Sequence, residues 1–464
     1  MKDLKIHGSV AGKQGSKNGI LFLFFCLLIA LSGCEKEDEP YFSLSESEIA
    51  FVEKGEQQTV EVRSNIPWQA SVSPAEATSW LTLSADGGEG GDVTLTLTAT
   101  ANDESGDRSA TVSFNSATGT KTLRVTQKVL ARYEDKHVKK LQSATTGKGI
   151  NLVVMGDGFT KNHLAKDGPY EELMKQTAEC FFSVEPYKSY RDYFNVYMVV
   201  AESEEAGANY EAYPGEKVNT KFNCTFGEGT EIKCDNAICN EYAALVPGVE
   251  MDSKKQILTE CLVIMAVNSV AYAGTTTMYS NGYSVALCPV SQEDPPNDFE
   301  GLIHHEAGGH GFGLFIDEYV YHNETLPDEY KEEVRVWKQF PAGFYSNVDL
   351  TNDPEQVGWK DFIGNLKYLY VGTYEGGALY RYGIWRPEEY TCMDINIPYF
   401  SAPSRWAIVN RIMRLAGTSM TLVEFMSRDN VTPPVLTRSI ASGRKMPPLG
   451  RPQMIKVDSG NRTE

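Results

Sequence analysis

The chain has 464 residues, enough for two or three domains and at least one large core. Its 43 Lys and Arg against 62 Asp and Glu give a formal net charge of −19. That balance argues against a nucleic-acid partner and against electrostatic attachment to anionic lipid, and it reads as a solvated surface.

In chain order, the first forty residues stand apart from the fold. Lys2, Lys5, Lys13 and Lys17 precede an unbroken apolar run from Ile20 to Leu31, too short to span a bilayer comfortably. Leu31-Ser32-Gly33-Cys34 resembles a bacterial lipobox, which implies a signal peptide over 1–33 and lipidation of Cys34. Residues 34–40 form an acidic tether. Its run Glu35-Lys36-Glu37-Asp38-Glu39 resembles the surface-export signal of Bacteroidetes lipoproteins, although a plain flexible tether explains the same residues. The expectation is an outer membrane lipoprotein held by its lipid anchor, exposed at the surface or facing the periplasm.

Residues 41–128 change character. Alternating runs such as Gln58-Thr59-Val60-Glu61-Val62 and Val93-Thr94-Leu95-Thr96-Leu97-Thr98 read as half-buried strands separated by Gly- and Asp-rich turns. About seven such strands predict an all-β sandwich. Ile66-Pro67-Trp68, Ser79-Trp80-Leu81, Arg108-Ser109-Ala110-Thr111-Val112 and Val125-Thr126-Gln127 resemble the Bacteroidetes-associated carbohydrate-binding, often N-terminal (BACON) domain. The resemblance implies glycan contact, with Trp68 or Trp80 as stacking platforms. The competing expectation is that both rings fill the core, leaving the module as a spacer.

Residues 129–148, of mixed charge, read as a linker. Beyond it, Cys261-Leu262-Val263-Ile264-Met265-Ala266-Val267 is a continuous apolar run and predicts an interior strand. Ala271-Tyr272-Ala273-Gly274 follows as an expected edge strand able to align a peptide by strand addition, with an ordinary loop as the alternative. An exported location permits a disulfide among Cys224, Cys234 and Cys239, whose spacing is unlike a zinc ribbon.

Three of the seven histidines then fall within seven residues: His304-His305-Glu306-Ala307-Gly308-Gly309-His310. Imidazole and carboxylate suit Zn²⁺, and a Glu beside a ligand His can serve as base toward a metal-activated water. Pro295-Pro296-Asn297-Asp298 offers a break and an N-cap, and Phe299, Leu302 and Ile303 recur at helical spacing. The spacing departs from H-E-x-x-H by one residue. On a regular α-helix, i and i+5 diverge by roughly 140°. A one-residue π-bulge would bring His305 and His310 onto one face, and Gly308-Gly309 gives the freedom for it. A rival register keeps the helix unbroken and uses Glu306 with His310. In the preferred register Gly311 and Gly313 end the helix and Asp317 returns as third ligand, with Glu318 as the substitute. Three ligands would leave one position open, as catalysis requires.

This segment resembles the active-site helix of the IgA-cleaving zinc metallopeptidase family, whose HE-type motif precedes a Gly turn and an Asp-Glu-Tyr tripeptide, here Asp317-Glu318-Tyr319. Residues 150–160, beginning Ile150-Asn151-Leu152-Val153, resemble that family's opening strand and turn. Trp385-Arg386-Pro387 and Thr391-Cys392-Met393 resemble its C-terminal signature. Ala402-Pro403-Ser404-Arg405-Trp406 resembles the closing helix. The resemblance implies an α/β zincin-like metallopeptidase domain over 149–425, one Zn²⁺ per chain on His305, His310 and Asp317, and Glu306 as general base. Cys392-Met393 would be a supporting turn beneath the metal. Tyr380, Tyr382 and Arg386 are candidate oxyanion stabilisers. Residues 426–464 read as an extension.

The expected protein is multidomain: an N-terminal all-β sandwich plus an α/β zincin-like metallopeptidase domain. It hydrolyses a protein or glycoprotein substrate on the cell envelope. Two alternatives stay open: a glycan-binding adhesin lipoprotein with an inactive peptidase-like domain, and a zinc amidase with a non-peptide substrate.

Overall fold

The computed structural model describes residues 39–103, 106–435 and 446–457. The expected signal peptide and Cys34 lie outside the described residues. Two compact units are present, one ending at Lys128 and one running from Val129 onward.

The first unit has two sheets. One follows the order β1 (Phe42–Leu44), β3 (Glu56–Ser64), β7 (Val93–Ala99), β5 (Leu81–Leu83). The other is β2 (Glu48–Phe51), β9 (Gly119–Gln127), β8 (Arg108–Ser116), β4 (Trp68–Ser73), β6 (Gly87–Gly88). The period-two alternation sends Val60, Val62, Leu95, Leu97, Val112 and Phe114 into one shared core. Trp68 and Trp80 are also inside, 2% and 6% exposed, with the Arg108 guanidinium over the Trp80 ring. Neither indole can serve as a sugar platform in this fold, so the core reading of both rings holds.

The second unit is built on a seven-stranded sheet. Its order is β10 (Val138–Gln142), β12 (Phe194–Val199), β11 (Ile150–Asp157), β16 (Leu262–Val267), β18 (Ser284–Pro289), β17 (Thr275–Tyr279), β22 (Gln453–Ile455). The four strands β12, β11, β16 and β18 run parallel. Both faces of the centre are buried. Leu152, Val154, Leu262 and Ile264 enter one core with helices α1 (Pro169–Phe181) and α6 (Ala402–Leu415). Val153, Met155, Val263 and Met265 enter another with α2 (Asn236–Ala243). This two-sided burial is why 261–267 is apolar at every position instead of alternating. A small sheet of β13 (Asn209–Tyr210), β14 (Thr225–Phe226) and β15 (Ile232–Lys233) lies apart from it in the pairing. So does another of β19 (Val320–Thr325), β21 (Leu379–Arg386) and β20 (Tyr374–Gly377). Among the described residues no helix is long and apolar enough to cross a membrane.

Two expectations are corrected here. Residues 129–148 are not a linker throughout: β10 pairs antiparallel with β12 and closes one sheet edge. Its lysines carry structural roles, since Lys139 bonds Glu171 at 2.6 Å and Lys140 covers the Tyr197 ring. The edge strand expected at 271–274 begins four residues later, as β17, and β22 is already paired along its outer side. The seven cysteines of the described residues are free, with no disulfide among Cys224, Cys234 and Cys239.

Candidate metal and active site

Asp298 caps α3 (Phe299–Leu302), accepting from Gly301 N at 3.1 Å, and the chain then enters a π-helix over Ile303–Phe312. The expectation was a one-residue bulge; the structure has ten residues of π-helix. The wider i→i+5 turn brings i+5 back toward i, so the two imidazoles meet, ring centroids 4.8 Å apart.

The glycines make this possible by close approach. A Cβ on Gly309 would overlap Met393 Sδ, and one on Gly311 would sit 2.6 Å from Leu262 Cδ1. The left-handed residue after the helix is Leu314, at φ 56°, so neither Gly311 nor Gly313 supplies the positive φ of that turn.

The chain after the helix is held from three sides. Glu318 N donates to Met393 O at 2.8 Å, Ala378 N donates to Asp317 O at 2.8 Å, and Ile316 N donates to Asn347 Oδ1 at 3.1 Å. That grip carries the Asp317 carboxylate back to the helix. Its Oδ1 lies 3.2 Å from His305 Nε2 and 3.2 Å from His310 Nε2. Ligand atoms about 2.0–2.1 Å from a tetrahedral zinc stand about 3.3 Å from one another, so the spacing fits a shared ion.

The protons agree with that reading. His305 Nδ1 is 3.0 Å from Cys392 O and His310 Nδ1 is 2.8 Å from Phe315 O. A carbonyl only accepts, so each Nδ1 carries a hydrogen, which leaves Nε2 as the ring atom able to coordinate a cation. Both Nε2 atoms face one carboxylate oxygen. His310 Nε2 lies near Asp317 Oδ1 without hydrogen-bond geometry, and it, Asp317 Oδ2 and Glu306 Oε1 are buried without a partner. Orphaned acceptors converging in this way fit a cation and are costly otherwise. Among the described residues, His305, His310 and Asp317 form the group able to hold a metal ion. Burial alone would raise the Asp317 carboxyl, but the two imidazoles hold it well below the usual carboxylate range.

Glu306 lies on the same helix, fully buried. Thr276 of β17 places its hydroxyl 2.7 Å from Oε2, leaving Oε1 the orphan. Burial pushes this carboxyl up to about 8, against the pull of His305 and the Thr276 bond. Glu318 faces away: its oxygens accept from Asn347 Nδ2 at 2.9 Å and Thr391 Oγ1 at 2.6 Å, and burial raises it to about 7. His304 also turns away, its Nε2 2.8 Å from Ser183 Oγ and 2.9 Å from Cys180 O.

The three oxyanion candidates are placed elsewhere. Arg386 donates to Gly376 O and Glu389 O, Tyr380 packs on His322 and Tyr330, and Tyr382 is exposed. None of these contacts reaches the imidazole pair. The tyrosines beside the cluster are ones that sequence reasoning passed over in that role. Tyr319 stacks on His305 with centroids 6.2 Å apart, and Tyr272 bonds Asn396 with Glu306 and Asp317 as charged neighbours. Their signal was position: Tyr319 completes the Asp-Glu-Tyr tripeptide, and Tyr272 lies in the short loop that leads into β17.

Two family models match the chain. A model of the BACON family, an N-terminal binding domain, matches residues 69–128. No curated protein matches the chain. Among solved structures, similar chains include a Bacteroides ovatus GH5 xyloglucanase in complex with a XXXG heptasaccharide (16% identity, 50% of this chain and 38% of that one, TM-score 0.18). A protein from Bacteroides thetaiotaomicron is similar at 11% identity (19% and 86%, TM-score 0.15), as is the Vibrio cholerae VesB protease at 10% (19% and 32%, TM-score 0.15). The chain thus spans 38% of the first structure's length, and at such TM-scores these likenesses carry no argument. The IgA Peptidase M64 model matches residues 138–370, half of the chain and the part that contains the whole His-Glu-His-Asp cluster. The chain belongs to the IgA Peptidase M64 family of metallopeptidases.

Proposed function

We propose that this protein is a zinc-dependent endopeptidase of the cell envelope, with a zincin-like catalytic unit. His305, His310 and Asp317 would hold one Zn²⁺, and Glu306 would be the general base. The observation that carries this reading is the convergence of two Nε2 atoms on one Asp317 oxygen, 3.2 Å from each. When bound, zinc supplies Lewis acidity that makes water nucleophilic near neutral pH and polarises the scissile carbonyl.

The chain's own residues supply the rest. Glu306 Oε1 is free to take a proton from the attacking water and return it to the departing amine, while Thr276 fixes the carboxylate through Oε2. A carboxyl raised toward neutrality suits both halves of that transfer. Cys392 O and Phe315 O orient the imidazoles by holding Nδ1–H. Met393, beneath Gly309, supports the helix without approaching as a ligand. Tyr319 and Tyr272 are better placed than Tyr380, Tyr382 or Arg386 to donate to a developing oxyanion.

A peptidase implies a protein substrate; immunoglobulin A is one to test and is not implied by the geometry. The envelope location rests on the lipobox-like Leu31-Ser32-Gly33-Cys34, and Cys34→Ser should move the protein from the membrane to the soluble fraction. The decisive experiment compares wild type and Glu306→Gln on a peptide library, with and without chelator. Hydrolysis should vanish with chelator and in the folded variant. Full activity in Glu306→Gln would exclude the proposed base.

A further inference from the structure

A peptidase must admit a polypeptide, yet His305, Glu306 and His310 are 0% exposed and Asp317 is 1% exposed. Part of what covers this region is a segment far along the chain, residues 446–457. Its contacts follow the elements that frame the site. The Tyr319 hydroxyl, on the ring that faces His305, donates to the carbonyl of Leu449 at 3.0 Å. Leu449 itself is buried.

One residue on, Gly450 N donates to Gly274 O at 3.1 Å. Gly274 lies directly against the base: a Cβ there would be 2.6 Å from Glu306 Oε1. The segment then becomes β22 and runs parallel to β17, with Thr277 opposite Gln453 and Met278 opposite Met454. The strand that holds Glu306 through Thr276 is thus the strand whose outer edge is taken.

A strand edge beside a buried catalytic cluster is where an extended peptide adds by backbone hydrogen bonds. Here a peptide carbonyl is already bonded by a tyrosine hydroxyl, a peptide N–H is already bonded to the residue packed on Glu306, and a three-residue ladder already occupies the edge. We infer that residues 446–457 fill the peptide-binding groove of the enzyme and keep the folded chain latent until they are displaced. The inference rests on the peptidase reading above and names the class of ligand for the groove: an extended polypeptide lying along β17.

The holding contacts are those of one short edge strand, with Ser280 bonding Ile455 O and Val457 N, Gln453 bonding Glu231, and Met454, Ile455 and Val457 packed against the cores beneath. Beyond Leu449 and Gly450 they include Arg451, which lies over the Tyr330 ring and 3.5 Å from Glu333, and Thr230, which donates to Pro448 O. Pro447, Pro448 and Pro452 have no N–H to give to a ladder. A three-residue edge strand preceded by prolines has a low free energy of opening compared with the central sheet.

The test uses the full chain. Gly450→Val places a branched side chain where even a Cβ meets Thr275 Oγ1 at 2.5 Å, and should lift the segment off. A fluorescein-labelled peptide of residues 446–457 should bind this variant at least tenfold more tightly than wild type by fluorescence polarisation. Cleavage of a fluorogenic peptide library should rise at least tenfold in kcat/KM. Arg451→Glu, which sets like charge against Glu333, is the second variant should Gly450→Val fail to fold. Equal peptide binding by wild type and folded variant overturns the inference. Equal, chelator-sensitive hydrolysis also overturns it, and leaves the peptidase reading standing. Tighter peptide binding in the variant with no hydrolysis by any form sustains the groove and sinks the peptidase reading.

Discussion

The Thr276 hydroxyl stands 2.7 Å from Glu306 Oε2 and 3.0 Å from Glu306 O, tying the π-helix to the strand that borders it. This bond lowers a carboxyl that burial raises to about 8. Thr276→Val should therefore push that carboxyl higher and move the acid limb of the kcat/KM profile to higher pH. A hydrogen bond to a charged group is worth about 1.5–3 kcal/mol, so a loss of activity of at least about tenfold is expected. An unshifted profile would show that Thr276 does not set the protonation of Glu306.

The choice between Asp317 and Glu318 can be read by metal content. Asp317→Asn should leave the purified protein with little bound zinc, whereas Glu318→Gln should retain one equivalent, with affinity weakened no more than about 10–100-fold. Elemental analysis after dialysis decides it. Zinc retained by Asp317→Asn and lost by Glu318→Gln would reverse the assignment.

Gly309 is packed so closely on Met393 that a single methyl group has nowhere to go. Gly309→Ala should cost about 1–3 kcal/mol by overpacking and disturb the imidazole pair as well. Denaturant unfolding together with zinc titration would measure both. The paired change Gly309→Ala with Met393→Ala should recover part of the metal affinity, because the obstructing sulfur is removed.

Glu171 predicts how the fold responds to acid. Burial alone would raise its carboxyl, but Lys139, Lys175 and Tyr133 bond it and bring it down to about 2. Its folded value lies below its unfolded one. The stabilisation is therefore fully present above about pH 4.5 and lost as pH falls toward 2, worth about 2–3 kcal/mol at neutrality once the partial exposure of its lysine partners is discounted. Glu171→Gln should lower stability at pH 7 and make it flatter between pH 5 and pH 2. An unchanged acid transition would remove Glu171 from that role.

Much of the chemistry could be read from residue order. The all-β module announced itself by strict alternation, and the interior strand 262–267 by unbroken apolarity, since a period of two or its absence reports how many faces are buried. The preferred register at His305 and His310 was legible because a wider helical turn reconciles an i, i+5 histidine pair with the Gly-Gly between them, and the structure has such a turn. The charged stretch 138–142 was not legible as a strand. Its lysines are satisfied by Glu171 and an aromatic face that lie tens of residues away in sequence, and composition does not show such partners.

Local order along the chain therefore determined that two histidines and two carboxylates come together in one segment. Tertiary structure decided how far the helix widens, because the packing of Gly309 on Met393 and the carbonyls of Cys392 and Phe315 fix the imidazoles from outside the motif. It also decided that Tyr319 and Tyr272 stand beside the cluster, and that residues 453–455 lie along β17. Spacing within one segment specifies a periodicity; contacts between separate segments depend on how the sheet is assembled.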